Sequence, residues 1–239
     1  MKIYKLKNLS IDEYHEHFFQ IIEEGKIWVS STDQLNDEEE FQFTMSCDPT
    51  AQTVLLIKNS ILLNGRPELY ASLAALVAVN ENRIRDFVEP IEKSIIRTCR
   101  NTMGVTSFSM RQPNEYLWKV YGGNGNGVAV EFELAEAEIG ETFHRVEYVD
   151  EKTFHVDSFL RSQLDATVIR ELYVHILCTK HRRWEIEKEI RFIGKCTNVN
   201  LSFDLPITKV TIGNKVDRSI IERIEAICLS RGIQISYES

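Results

Sequence analysis

The spacing of apolar residues along the chain changes period several times, and each change marks an element. KIYKL near the N-terminus reads as a short strand. Ser10 and Glu13 then form a capping box for a helix whose apolar face is Tyr14, Phe18, Ile21 and Ile22, and Gly25 stops it. KIWVSS is a second strand, followed by STDQLNDEEEF, a polar and acidic loop whose side chains can reach into a site. From Ala51 to Asn101 the pattern is helical: an apolar stretch through Leu63, a turn from Asn64 to Pro67, a helix from Glu68 to Val79, and a third holding Pro90. This block is predicted as an insertion on one side of a sheet.

A period of two then returns. GVTSFS is a strand, followed by a short helix that Pro113 initiates and that runs through Tyr121. VAVEFEL and RVEYV (145–149) are strands, and a long amphipathic helix is predicted from Val156 to Cys178, with Phe159, Leu160, Leu164, Val168, Leu172 and Ile176 on its apolar face. RRWEIEKEIRFIG (182–194) alternates strictly, which predicts a strand carrying Glu185, Glu187, Glu189 and Arg191 on one face. ITKVTIG is a further strand, Asp217 caps a helix ending near Gly232, and IQISY closes the chain as a strand. With no internal repeat and no Pro/Gly/Ser-rich linker, the expected architecture is a single α+β domain over 1–239. It has a mostly antiparallel sheet, flanking helices and a helical insertion over residues 51–101.

Composition changes this picture little. Hydrophobic residues make up 43% and charged residues 27%, an ordinary globular balance. The longest apolar run, Leu73 to Val79, falls far short of the roughly 18 residues of a membrane span. The N-terminus lacks the apolar centre of a signal peptide, so a soluble cytoplasmic protein with no membrane partner is expected. Five cysteines without a close pair argue against a disulfide framework or a cysteine-rich zinc site. A net charge of −8 gives no global footprint for duplex nucleic acid, and the local cluster Lys180–Arg183 reads as a solvated helix end or loop. The histidines show no metal-ligand spacing, so no structural metal is expected. GGNGNG (122–127) lacks the context of a phosphate loop and reads as a flexible turn.

Candidate chemistry rests on a few residues. Trp118 and Tyr121 share a helix face, where Trp118 fits core packing better than ligand stacking and Tyr121 is the more open case. Neither Ser107 nor Ser109 has the flanking glycines of a nucleophile elbow. The line Glu185, Glu187, Glu189 and Arg191 is either a solvated face or a site.

Several of these stretches together resemble the bacterial family catalogued as domain of unknown function 2971. The resemblance is carried by SFS (107–109), Asn114, Leu117, Trp118, Tyr121, GVAVEF (127–132), Val146 with Tyr148, and Lys180 followed by W-x-x-E-x-E-x-R (184–191). In the N-terminal part it is carried by Tyr4, Lys5 and GKIWVSS followed by Leu35, Asn36, Asp37 and Glu40. It implies a distant relation to the ADP-ribosyltransferase fold, in which a split sheet clamps NAD and a Glu-x-Glu pair supplies the catalytic carboxylate. On that basis Glu189 is the catalytic carboxylate and Glu187 orients or deprotonates the acceptor. Arg191 pairs with phosphate or simply restrains the glutamates, Trp118 or Tyr121 stacks on a base, and Tyr4, Ser30 and Asn36 contact the nucleotide. Ser30, Ser31 and Thr32 stand where the fold carries a serine-threonine-serine strand. Tyr4 or Lys5 stands where the first strand usually has arginine or histidine.

The expected function is an NAD-using transferase or glycohydrolase, a bacterial toxin or antiphage effector. It would act on a protein or nucleic-acid target and have a partner protein from the same operon. Two alternatives stay open: a non-catalytic nucleotide or nucleic-acid binding module, and a metal-dependent hydrolase or nuclease using Asp37, Glu40 and the glutamates. Of the glutamates in the alternating stretch, Glu185 falls outside the pattern and is expected to be dispensable.

Overall fold

The fold was examined in a computed structural model, which describes residues 1–35, 39, 42–46, 52–53, 55–57, 59 and 81–238. The expected α+β class with a mostly antiparallel sheet is what is found, and within it residues gather into two compact units. Unit 1 comprises Met1–Ser31, Met103–Val146 and Arg183–Ser239; unit 2 comprises Thr32–Thr102 and Glu147–Arg182.

Unit 1 is built on a nine-stranded sheet. Its strands are β1 (Lys2–Asn8), β2 (Lys26–Ser31), β4 (Gly104–Ser109), β5 (Gly127–Glu133), β6 (Phe143–Arg145), β10 (Glu189–Gly194), β11 (Val199–Ser202), β12 (Ile207–Ile212) and β13 (Gln234–Tyr237). The order is β11-β2-β4-β1-β5-β12-β13, with β10 also on β4 and β6 on β10. All pairings are antiparallel except β12 with β13. Helix α1 (Asp12–Glu24) and helix α6 (Arg218–Arg231) supply Phe18, Ile21, Ile22, Ile224 and Cys228 to the core. These pack with Ile3, Phe108, Val130, Phe132, Ile190 and Val210 from one face of the sheet.

Strand β4 is the hub. One edge pairs with β10 along its whole length, Gly104↔Gly194 through Ser109↔Glu189. The other edge is shared: Ser30 and Ser31 of β2 oppose Val105 and Gly104, while Tyr4 of β1 opposes Ser109. Between these two pairings the sheet opens, and no described strand pairs with residues 106–108 on that edge. Gly104 is required at the narrow end, because a Cβ there would lie 1.8 Å from the Cys196 carbonyl oxygen.

Unit 2 contains helix α2 (Glu81–Thr102), which carries Pro90 as expected, and helices α4 (Val156–Ser162) and α5 (Ala166–Leu177). It also has two small parallel pairs, β3 (Thr44–Ser46) with β8 (Thr153–His155), and β7 (Glu147–Val149) with β9 (Thr179–His181). Phe43, Phe154 and Phe159 form an aromatic cluster within it. The first two helices predicted in the insertion lie largely outside the described residues.

Four local expectations are corrected. Ser10 and Glu13 make no capping box: Ile11 is the N-cap, and the Ser10 hydroxyl donates to Asn8 Oδ1 at 2.7 Å instead. The helix predicted from Val156 to Cys178 breaks at residues 163–165, where Asp165 caps a new helix by accepting from the Thr167 amide at 2.8 Å. RVEYV is not one strand, since β6 and β7 belong to different sheets. Lys180 is not on a solvated loop but is buried in β9, opposite Tyr148. By contrast, Gly25 ends α1 at φ 69° and GGNGNG forms a turn, both as expected.

Candidate functional site

The stretch 182–194 is two elements where the alternation predicts one. Arg182–Glu187 is a 3-10 turn, Lys188 takes a positive φ of 45°, and β10 begins at Glu189. Glu185 and Glu187 are therefore not on the strand face. The left-handed backbone at Lys188 is costly for a side-chain-bearing residue and is held from both sides. Its carbonyl accepts from the Met110 amide at 2.8 Å, and its ammonium reaches Glu185 Oε1 at 2.8 Å.

Ser109, which the sequence offered only as a poor nucleophile, fixes this junction. Its hydroxyl donates to the Glu187 carbonyl at 2.7 Å and accepts from the Arg111 amide at 3.0 Å. The result is a Glu-x-Glu pair at a turn-to-strand boundary with both carboxylates buried, Glu187 at 2% and Glu189 at 7% exposure. The Tyr121 hydroxyl donates to Glu187 Oε1 at 2.6 Å, and Arg191 Nη2 donates to Glu189 Oε2 at 3.0 Å. Arg191 is the largest fully buried side chain among the described residues. Buried groups of this kind persist when partners hold their hydrogen-bonding atoms, as Tyr121 does for Glu187 and Arg191 for Glu189, although Arg191 Nε has no hydrogen-bond partner among the described residues.

Cross-strand register places four polar residues in one row on the sheet face opposite the core: Glu131, Tyr4, Ser109 and Glu189. Glu131 is buried too. Burial would raise its carboxyl, but hydrogen bonds from Lys2 and Thr208 outweigh that and hold it below the ordinary carboxylate range. Burial, and then the adjacent Glu131, push the Tyr4 hydroxyl up.

Tyr121 and Glu187 are thus brought together, as are Glu189 and Arg191, with Tyr4 in the Glu189 row. Ser30 is not in that row. It opposes Val105, four residues or roughly 13 Å along β4 from Ser109. Asn36, Asp37 and Glu40 lie outside the described residues. Trp118 is buried in helix α3 (Glu115–Val120), whose N-cap Asn114 accepts from the Leu117 amide at 3.0 Å. Gly122 packs so closely on the Trp118 ring that a Cβ there would come within 2.4 Å of it, which is core packing. Tyr121, the C-cap of α3, is the more exposed of the two. A cavity of about 430 Å³ on unit 2, lined by Asp33, Lys93, Ile96, Arg97, Arg100 and Asn101, contains none of the residues singled out from the sequence.

Sequence reasoning missed Glu131, the structural role of Ser109, and the grouping of three basic residues of unit 1: Lys5, Lys7 and His17. The signal was parity. On β1 Ile3 faces the core, so Lys5 and Lys7 share its side, and on β5 Glu131 interrupts an apolar run. No helix among the described residues is long and apolar enough to cross a membrane. No curated protein and no solved structure matches the chain. Residues 117–192, a segment that contains Trp118, Tyr121, Glu187, Glu189 and Arg191, match the model of the family described as protein of unknown function (DUF2971), and this bears out the family resemblance over that segment.

Proposed function

We propose that the chain is an NAD-using transferase or glycohydrolase of the ADP-ribosyltransferase kind, with Glu189 as its catalytic carboxylate. The observation that carries this reading is the buried Glu-x-Glu pair where the 3-10 turn meets β10, with Glu189 in one cross-strand row with Ser109 and Tyr4. Breaking the bond between nicotinamide and ribose develops positive charge on the sugar. A fixed carboxylate in a water-poor setting stabilises that charge without having to reorganise. Arg191 fixes the direction of Glu189, and Tyr121 holds Glu187, which in this reading orients or deprotonates the acceptor. A role as bacterial toxin or antiphage effector, with a protein or nucleic-acid target and an operon-encoded partner, goes with this chemistry.

The test is release of nicotinamide from NAD by the purified protein. Glu189→Gln is expected to lose turnover by roughly 100-fold or more while keeping its unfolding curve. A wild-type rate in that variant, or no nicotinamide release by the wild type with any acceptor class, sinks the assignment. One observation favours a second reading: the Glu189 carboxylate is already engaged by Arg191 at 3.0 Å. A non-catalytic nucleotide-binding module would bind NAD and leave it intact.

A further inference from the structure

Lys5 and Lys7 project from β1 on the core side of the sheet, beneath α1. The Lys5 ammonium lies in the opening beside β4, where it donates to Thr106 Oγ1 at 2.7 Å and to the Ser107 carbonyl at 2.9 Å, and sits 5.0 Å from the centre of the Phe108 ring. The Lys7 ammonium lies 5.0 Å from the centre of the Tyr14 ring on α1. One turn along α1, His17 is 7% exposed and stacks on Trp28 at 4.7 Å, and its Nδ1 has no hydrogen-bond partner. Gln20, three residues further along the same helix face, has its Oε1 buried without a partner as well.

The three nitrogen-bearing side chains lie within electrostatic reach of one another, and among the described residues no carboxylate is in ion-pair contact with them. The acidic groups that act on them are Glu189 on Lys5, Glu13 on Lys7, and Glu13 and Glu16 on His17, all beyond ion-pair reach. Desolvated basic groups without a counter-charge are costly to keep protonated, and an anion bound among them would restore that charge. Their titration agrees. Burial, then Lys7, pushes Lys5 well down; burial brings Lys7 to about 8; and burial, then Lys7, lowers His17.

We propose that Lys5, Lys7 and His17 form a binding site for a phosphoryl group, on the opposite face of the sheet from Glu189. The two ammonium groups supply charge and donors, and the unpartnered imidazole nitrogen supplies a third contact. The site rests on no part of the NAD reading.

Calorimetric titration with inorganic phosphate and with inorganic pyrophosphate, at fixed ionic strength, tests it. The wild type is expected to show saturable one-site binding at millimolar concentration or better. At pH 8.5 that binding should take up protons, because an anion beside Lys7 restores its affinity for one; comparing two buffers of different ionisation enthalpy measures the uptake. Lys7→Met is expected to bind at least tenfold more weakly with less proton uptake, and His17→Phe to be weakened as well. Lys119→Met, on an exposed helix position, should bind as the wild type does. Lys7→Gln serves if the Met variant aggregates. Equal binding by wild type and Lys7→Met, equal weakening by Lys119→Met, or no saturable binding to either anion overturns the proposal.

Discussion

Replacing Lys7 by methionine should make the free protein more stable at neutral pH. Burial lowers the Lys7 ammonium from an ordinary 10.5 to about 8, and at about 1.4 kcal/mol per pH unit that is a cost of about 3 kcal/mol for keeping it charged in the folded state. Methionine keeps most of the apolar stem and carries no charge. It forfeits the contact with the Tyr14 ring, worth about 0.5–1 kcal/mol, so a net gain of about 2 kcal/mol is expected at pH 7. The folded value lies below the unfolded one. Between about pH 8 and 10.5 the unfolded chain therefore keeps a proton that the folded chain has released, and the wild type gains stability as pH rises through that window. The advantage of Lys7→Met should shrink over the same window. Urea unfolding of both proteins at pH 7 and at pH 10, without phosphate, measures it, since other titrating groups cancel in the difference. A variant less stable than the wild type at pH 7, or a difference independent of pH, refutes the claim that Lys7 is a desolvated and uncompensated charge.

Ser109→Ala should destabilise by about 1–3 kcal/mol, because it strands the Glu187 carbonyl and the Arg111 amide at a buried position; denaturant midpoints check it. If the hydroxyl also holds the Glu-x-Glu junction, restoring it with Ser109→Thr should recover most of the loss. Two glycines should respond differently to alanine. Gly104→Ala drives a Cβ into the Cys196 carbonyl and is expected to cost about 3 kcal/mol or more, whereas Gly25→Ala meets open space and should cost only the left-handed strain of about 1–2 kcal/mol. Thermal unfolding of both variants gives the order, and a larger loss at Gly25 would contradict it.

The parts of the fold legible in the sequence are those in which local preference and tertiary demand agree. Strand alternation located β2, β4, β5 and β12, and Gly25 and Gly232 ended their helices, since the left-handed cap conformation suits glycine. The alternating stretch 182–194 misled because E-I-E-K-E-I-R fits a strand throughout. What breaks it is a lysine at positive φ, held by the Met110 amide from another part of the chain, and no local pattern announces that. The split of RVEYV is likewise a choice of partners, with β6 joining β10 and β7 joining β9. The break between α4 and α5 had a signal in Asp165, but the apolar periodicity running past it was stronger. At the candidate site, the Glu-x-Glu pair was visible as a motif. The cationic cluster was not, because its meaning depends on which face of β1 looks toward α1.

The hub strand β4 also bears on how the molecule assembles. Its partners come from residues 2–8, 26–31 and 189–194, so the hub strand is completed only when both ends of a long stretch of chain meet it. Such non-local pairing forms slowly, since the entropy of closing each intervening loop is lost before any contact compensates it. A ribosome-bound chain that has emerged only as far as β5 can form the β1–β4 and β1–β5 pairings while the whole β10 side of β4 stays bare. Until Gly194 is out, that apolar and hydrogen-bonding edge is open to wrong partners, and the pairing that covers it also brings Glu189 into place.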